Sequence, residues 1–130
     1  MKTYLMIVCM GLFLSPLFGC QDKHEKALAD VIESLEDAVT LFKGITDEKS
    51  ARAAIDDIDK LGERMGAANK VMQGLDAPSE EKDKELGEKF GARWEKVMQD
   101  LMGEFRRIEG MPQLKPILME PLTRFRNKIK

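Results

Sequence analysis

Side chains able to do chemistry are scarce in this sequence. His24 is its one histidine, Tyr4 its one tyrosine, and Cys9 and Cys20 are its two cysteines. A nucleophilic serine needs a base within hydrogen-bond reach, yet Ser34, Ser50 and Ser79 have no histidine near them along the chain. There is no glycine-rich phosphate loop and no His-Glu metal pair. The expectation is a protein that is not an enzyme, with no catalytic, cofactor-binding or metal residue assigned and no cofactor.

Six methionines follow residue 20: Met65, Met72, Met98, Met102, Met111 and Met119. Clustered thioethers are soft copper ligands, and Met98 and Met102 lie one helical turn apart. Core filling is the favoured reading, because four of the six fall on or beside apolar helix seams. A haem would need an axial pair such as His24 with Met111 or Met119, and no Cys-x-x-Cys-His attachment motif occurs. His24 sits among Asp22, Lys23, Glu25 and Lys26 and reads as an exposed surface residue. Asp56, Asp57, Asp59 and Glu63 project from one straight helical stretch. Calcium sites wrap the ion in a loop instead, so this group reads as a solvated face.

The charge balance narrows the partners. Over 130 residues, 21 Lys and Arg face 23 Asp and Glu, a net of −2. Nucleic-acid-binding domains carry a strong basic excess, so no nucleic-acid partner is expected. The charge is uneven along the chain. Residues 20–79 hold 8 basic and 13 acidic side chains, and residues 80–130 hold 12 and 10. Lys115, Arg124, Arg126, Lys128 and Lys130 make the end basic. Such a tail suits acidic headgroups, but cations at a helix C-terminus also complement its dipole, and the second reading is preferred.

The first 19 residues read as a removable signal peptide. Lys2 gives a positive start, and residues 4–14 are apolar except for Gly11. That run is shorter than the ~20 residues a spanning helix needs. Ser15 and Pro16 break it, and small Gly19 precedes Cys20. The stretch Leu17-Phe18-Gly19-Cys20 resembles the lipobox of bacterial lipoproteins, although Phe18 is bulkier than the small or β-branched residue usual two positions before that cysteine. The resemblance implies cleavage between Gly19 and Cys20, diacylglycerol on the Cys20 sulfur and a palmitate-type chain on the new amine. It implies a protein anchored by lipid in the bacterial cell envelope. With Gln21 rather than Asp after the cysteine, it implies the outer membrane where the host has one. Cys9 leaves with the signal and Cys20 is acylated, so no thiol remains for a disulfide.

The elements that must carry these residues are helices. No segment alternates like a strand, and the apolar period is helical throughout. A first helix is predicted from about Asp22 to Lys43, with Leu28, Val31, Ile32, Leu35, Ala38, Val39 and Phe42 on one face. Thr46-Asp47-Glu48 opens a second, with a capping hydroxyl and first-turn acids. Its seam is Ala51, Ala54, Ile58, Leu61, Met65, Ala68, Met72 and Leu75, a coiled-coil-type repeat. A third begins at Pro78 or Ser79 and carries Leu86, Phe90, Trp94, Val97, Leu101, Phe105 and Ile108, widened by Met98 and Met102. Glycines at 44, 74 and 110 mark the stops. Pro121 should begin a short last helix, with Leu122, Phe125 and Ile129 on one side, folded over the open end of the bundle.

Short connections make neighbours antiparallel. The expected fold is all-α: a cleaved signal peptide at 1–19, then one domain at 20–130, an antiparallel bundle of three long helices plus a short C-terminal one. Gly62 and Gly66, and Gly87 and Gly91, form two small-xxx-small pairs at similar heights on the second and third helices. Glycine inside a helix costs ~1 kcal/mol against Ala, and close approach of those two backbones would explain four of them. The functional expectation is a membrane-tethered interaction or structural module with an unidentified protein partner. The alternative is a bundle that binds copper or haem.

Overall fold

The computed structural model describes residues 22–129. Four helices follow in order: α1 (Lys23–Lys43), α2 (Glu48–Gln73), α3 (Glu80–Glu109) and α4 (Lys115–Lys128). No strand occurs among the described residues. The all-α expectation of three long helices and a short C-terminal one is met. Residues 1–21 and 130 lie outside the described residues, and with them the expected signal peptide and Cys20.

Each long helix begins where a polar side chain satisfies its free N–H groups. The Asp22 carboxylate accepts from the His24 N–H at 2.8 Å. Asp47 accepts from the Ser50 N–H at 2.7 Å, and the Ser50 hydroxyl oxygen accepts from the Asp47 N–H at 3.0 Å, a reciprocal capping box. The cap of α2 is therefore the Asp47 carboxylate and not the Thr46 hydroxyl. Ser79 caps α3 through the Lys82 N–H at 3.2 Å. Gly44, Gly74 and Gly110 end the three helices in right-handed geometry, with no positive φ among the described residues.

The last helix corrects the sequence expectation twice. It begins six residues before Pro121, with Pro116 in its first turn and Pro121 buried inside it. Proline at a first turn loses nothing, since that N–H has no helical partner. Pro121 does cost α4 one internal bond, which packing of Ile117, Leu118, Leu122 and Phe125 outweighs. Nor does α4 close the end of the bundle. It lies along the side of α2, with Arg124 beside Asp59 and Lys128 against Gly66, so the two helices run in the same direction.

Ion pairs report the other directions. Arg64 reaches Asp37 at 2.6 Å, and α2 runs antiparallel to α1. Glu25 pairs with Lys89, and Glu36 with Arg93, so α3 runs parallel to α1. The close helix pairs are α1 with α2, α1 with α3, and α2 with α4. The first helix thus lies between its two long neighbours. The expected close approach of α2 to α3 through four glycines does not occur. Gly62 instead faces Phe125 and Lys128 of α4, while a side chain at Gly87 or Gly91 would meet nothing within 4 Å.

One apolar core draws on all four helices. Phe42, Phe105 and Phe125 meet at its centre, with ring centroids 5.3 Å, 5.6 Å and 6.4 Å apart. Truncating such a ring typically costs about 3–5 kcal/mol. Arg107 crosses from α3 to cap α1, donating to the carbonyls of Phe42 at 2.7 Å and Ile45 at 2.9 Å. Ser34, the buried polar residue, donates to the Asp30 carbonyl at 2.8 Å.

Candidate functional site

The seam of α2 is not buried to its end. Ala51, Ala54, Ile58 and Met65 are core with Leu61 and Ala68 half-buried against them, whereas Met72, and Leu75 just past the end of α2, are half-buried outside that core. The cause is length. At 1.5 Å per residue, 14-residue α4 spans about 21 Å, and 30-residue α3 about 45 Å. Beyond the reach of α4, the space between the C-terminal end of α2 and the N-terminal half of α3 has no fourth helix.

That space is a cleft of about 550 Å³ floored by the first turns of α1. Leu28, Met72, Leu75, Leu86, Phe90 and Trp94 give it apolar walls. Gly87 and Gly91 also line it, which places the open space beside them inside the cleft. Trp94 continues the apolar stripe of α3, yet it is 39% exposed, because α2 does not pack against α3. Met102, at 46%, is exposed for the related reason that no helix covers its side of α3.

His24 closes one edge of the cleft. It is half-buried rather than exposed, because the α2–α3 connection folds over it. Its Nε2 lies 2.6 Å from the Asp76 carbonyl oxygen and its Nδ1 3.1 Å from the Asp22 carboxylate. Both neighbours accept, so full satisfaction needs a proton on each nitrogen, which is the imidazolium form. The Asp76 carbonyl, followed by Asp22, holds the His24 pKa above its ordinary value against the opposing effects of partial burial and nearby Lys82. In turn the His24 backbone N–H, with the His24 ring and Lys82, holds Asp22 below the usual carboxylate range.

The other candidates from the sequence separate. Met98 is half-buried and Met102 exposed on α3, with no imidazole beside them. His24 stands at the beginning of α1, whereas Met111 touches Arg107 at the far end of the bundle and Met119 lies beside Ile108 and Glu109. The haem pair therefore does not converge. Among the described residues no group of three or more His, Cys, Asp or Glu side chains is placed to hold a metal ion.

The acidic group on α2 and the basic C-terminal stretch meet one another. Arg124 donates from Nε and Nη2 to the two Asp59 oxygens, each at 2.9 Å. Lys128 stands 3.9 Å from Glu63, and Arg126 pairs with Glu109 while lying over the Phe105 ring. The Arg124 guanidinium holds Asp59 below the usual carboxylate range. Two of these pairs, Arg124 with Asp59 and Lys128 with Glu63, join α4 to α2 and so help to position it. The sequence reading missed this, although opposite charge excesses in two halves of one small domain were its visible signal.

Comparison with protein-family models, curated proteins and solved structures finds no match for this chain.

Proposed function

We propose that the protein is a membrane-tethered lipoprotein of the bacterial cell envelope, with the outer membrane favoured, whose helical bundle is an interaction or structural domain. The observation that carries this reading is the N-terminal run ending in Leu17-Phe18-Gly19-Cys20. Two or three acyl chains on one cysteine hold a folded domain on a bilayer almost permanently, since each buried CH₂ contributes ~0.8 kcal/mol.

The start of α1 supports the reading. Lys23 opens the helix, so three chain steps separate it from Cys20, roughly 10 Å when extended. An anchor at Cys20 would hold the bundle near the headgroups, with the His24 end toward the membrane. No helix among the described residues is long and apolar enough to cross a membrane.

Mass spectrometry of the mature N-terminus tests the proposal. The expected product begins at Cys20 and carries diacylglycerol. Blocking the lipoprotein signal peptidase should leave a longer precursor, and Cys20→Ala should abolish incorporation of labelled fatty acid and leave the chain uncleaved at Gly19. A mature chain with an unmodified Cys20 thiol would reject it.

A further inference from the structure

We infer that the cleft between α2 and α3 seats one acyl chain carried by Cys20 of the same molecule, shielding that chain when the protein is out of a bilayer. This rests on the anchoring reading above, and three observations on the folded domain lead to it.

The first is position. The described chain begins at the cleft. Asp22 stands 3.5 Å from Lys82, and His24, two residues on, both lines the cleft and bonds Asp76, which lines the cleft beside it. Cys20 lies two residues before Asp22, about 7 Å of extended chain. An acyl chain on its sulfur starts within reach of the mouth.

The second is chemistry. The walls are apolar side chains, and two of the polar groups at the rim, the His24 ring and the Asp76 carbonyl, already satisfy each other. No buried side-chain nitrogen or oxygen among the described residues lacks a hydrogen-bond partner. Asp76 and Asp83 stand at the exposed rim, but apolar side chains make up most of the wall, which favours a hydrocarbon occupant. The volume of about 550 Å³ falls in the range of small-ligand pockets. Its wall on α3 runs from Asp83 to Trp94, roughly 17 Å at the helical rise, which suits one extended chain.

The third is the pair Gly87 and Gly91. Glycine is a poor helix former, and no neighbouring backbone needs these two to be bare, since a Cβ at either would meet nothing within 4 Å. Their lack of side chains keeps the α3 wall low where a chain would lie. Tethering decides among hydrocarbon occupants. A chain on Cys20 has an effective concentration at the cleft that free lipid lacks.

The test uses the native acylated protein, made by cells fed a fatty acid bearing a photoactivatable diazirine. Mass spectrometry first establishes acylation of Cys20. The protein is then moved out of detergent, illuminated and digested. The expected product links the Cys20 peptide to residues 83–94 within one molecule, and Gly87→Leu or Gly91→Leu should reduce it at least tenfold. In parallel, Trp94, the one tryptophan, should become several-fold more accessible to acrylamide when mild alkali removes the ester-linked chains. Links between two molecules, adducts of free phospholipid at the same residues, or no adduct in 83–94 would each overturn the inference while leaving acylation intact. A free thiol at Cys20 would overturn both readings.

Discussion

The Nε2 of His24 lies 2.6 Å from the backbone carbonyl of Asp76, tying the first turn of α1 to the α2–α3 connection across 52 residues of sequence. The clasp is strongest with the imidazole charged, and the folded protein raises the His24 pKa. A group whose pKa is raised on folding binds protons more tightly in the native state. Its contribution is complete below the unfolded pKa and is lost as pH rises through the folded one. His24 should therefore titrate above a free histidine when its ring C–H signals are followed by NMR. Melting temperature should fall across that same window, and His24→Ala should abolish that part of the pH dependence. An unshifted titration would remove the clasp.

Acid should act with the opposite sign on the carboxylates. Arg93 holds Glu36 low through two hydrogen bonds at 2.6 Å, Ser50 holds Asp47 low, Arg124 holds Asp59 low, and Lys96 holds Asp100 low. Their contribution is present above the ordinary carboxylate range and is lost as pH falls through the lowered values. These pairs are well exposed, so each contributes little by itself. The expected result is a gradual loss of melting temperature below the carboxylate range, blunted at high salt. A melting temperature that is flat down to strong acid would contradict the pairing.

Glycine positions separate packing from propensity. Gly87→Ala and Gly91→Ala add a methyl group to open space, so each should raise stability by roughly 1 kcal/mol, the helix-propensity difference. Gly62→Ala places its Cβ 3.3 Å from Lys128 Cδ and 3.6 Å from the Phe125 ring, so it should gain less than those two. Thermal denaturation of the three variants checks the order. Destabilisation at Gly91 would mean that α2 and α3 approach there after all.

Phe125 decides whether α4 belongs to the fold or is a loosely attached tail. Its ring meets Phe42 edge-on and is 1% exposed. Phe125→Ala should cost about 3–5 kcal/mol, and the whole domain should melt earlier in a single transition. Denaturant unfolding followed by circular dichroism reads this, and a loss under 1 kcal/mol would detach α4 from the core.

Much of the local structure was legible in the residues because its causes are local. The helical apolar period, Asp22 and Ser79 ahead of two helices, and glycine behind all three specify where the long helices begin and end, while the cap of α2 fell one residue later than Thr46, on Asp47. The signal-like run and Cys20 belong to the sequence alone, since they fall outside the described residues. Pairing was not legible, because an apolar face does not name the face it will bury. The apolar repeat of the sequence continues to Leu75, yet its end is not covered, since α4 reaches only as far as Asn69. Four glycines at matching heights suggested a contact that does not form, because α1 lies between α2 and α3. Trp94, Gly87 and His24 became one cleft only through tertiary placement. Charge told the same story, for the carboxylates Asp59 and Glu63 on α2 and the basic last helix looked like separate surfaces until Arg124 met Asp59. Interactions within a few residues are written in composition and spacing, whereas those across 50 or 60 depend on which helices have the length to meet.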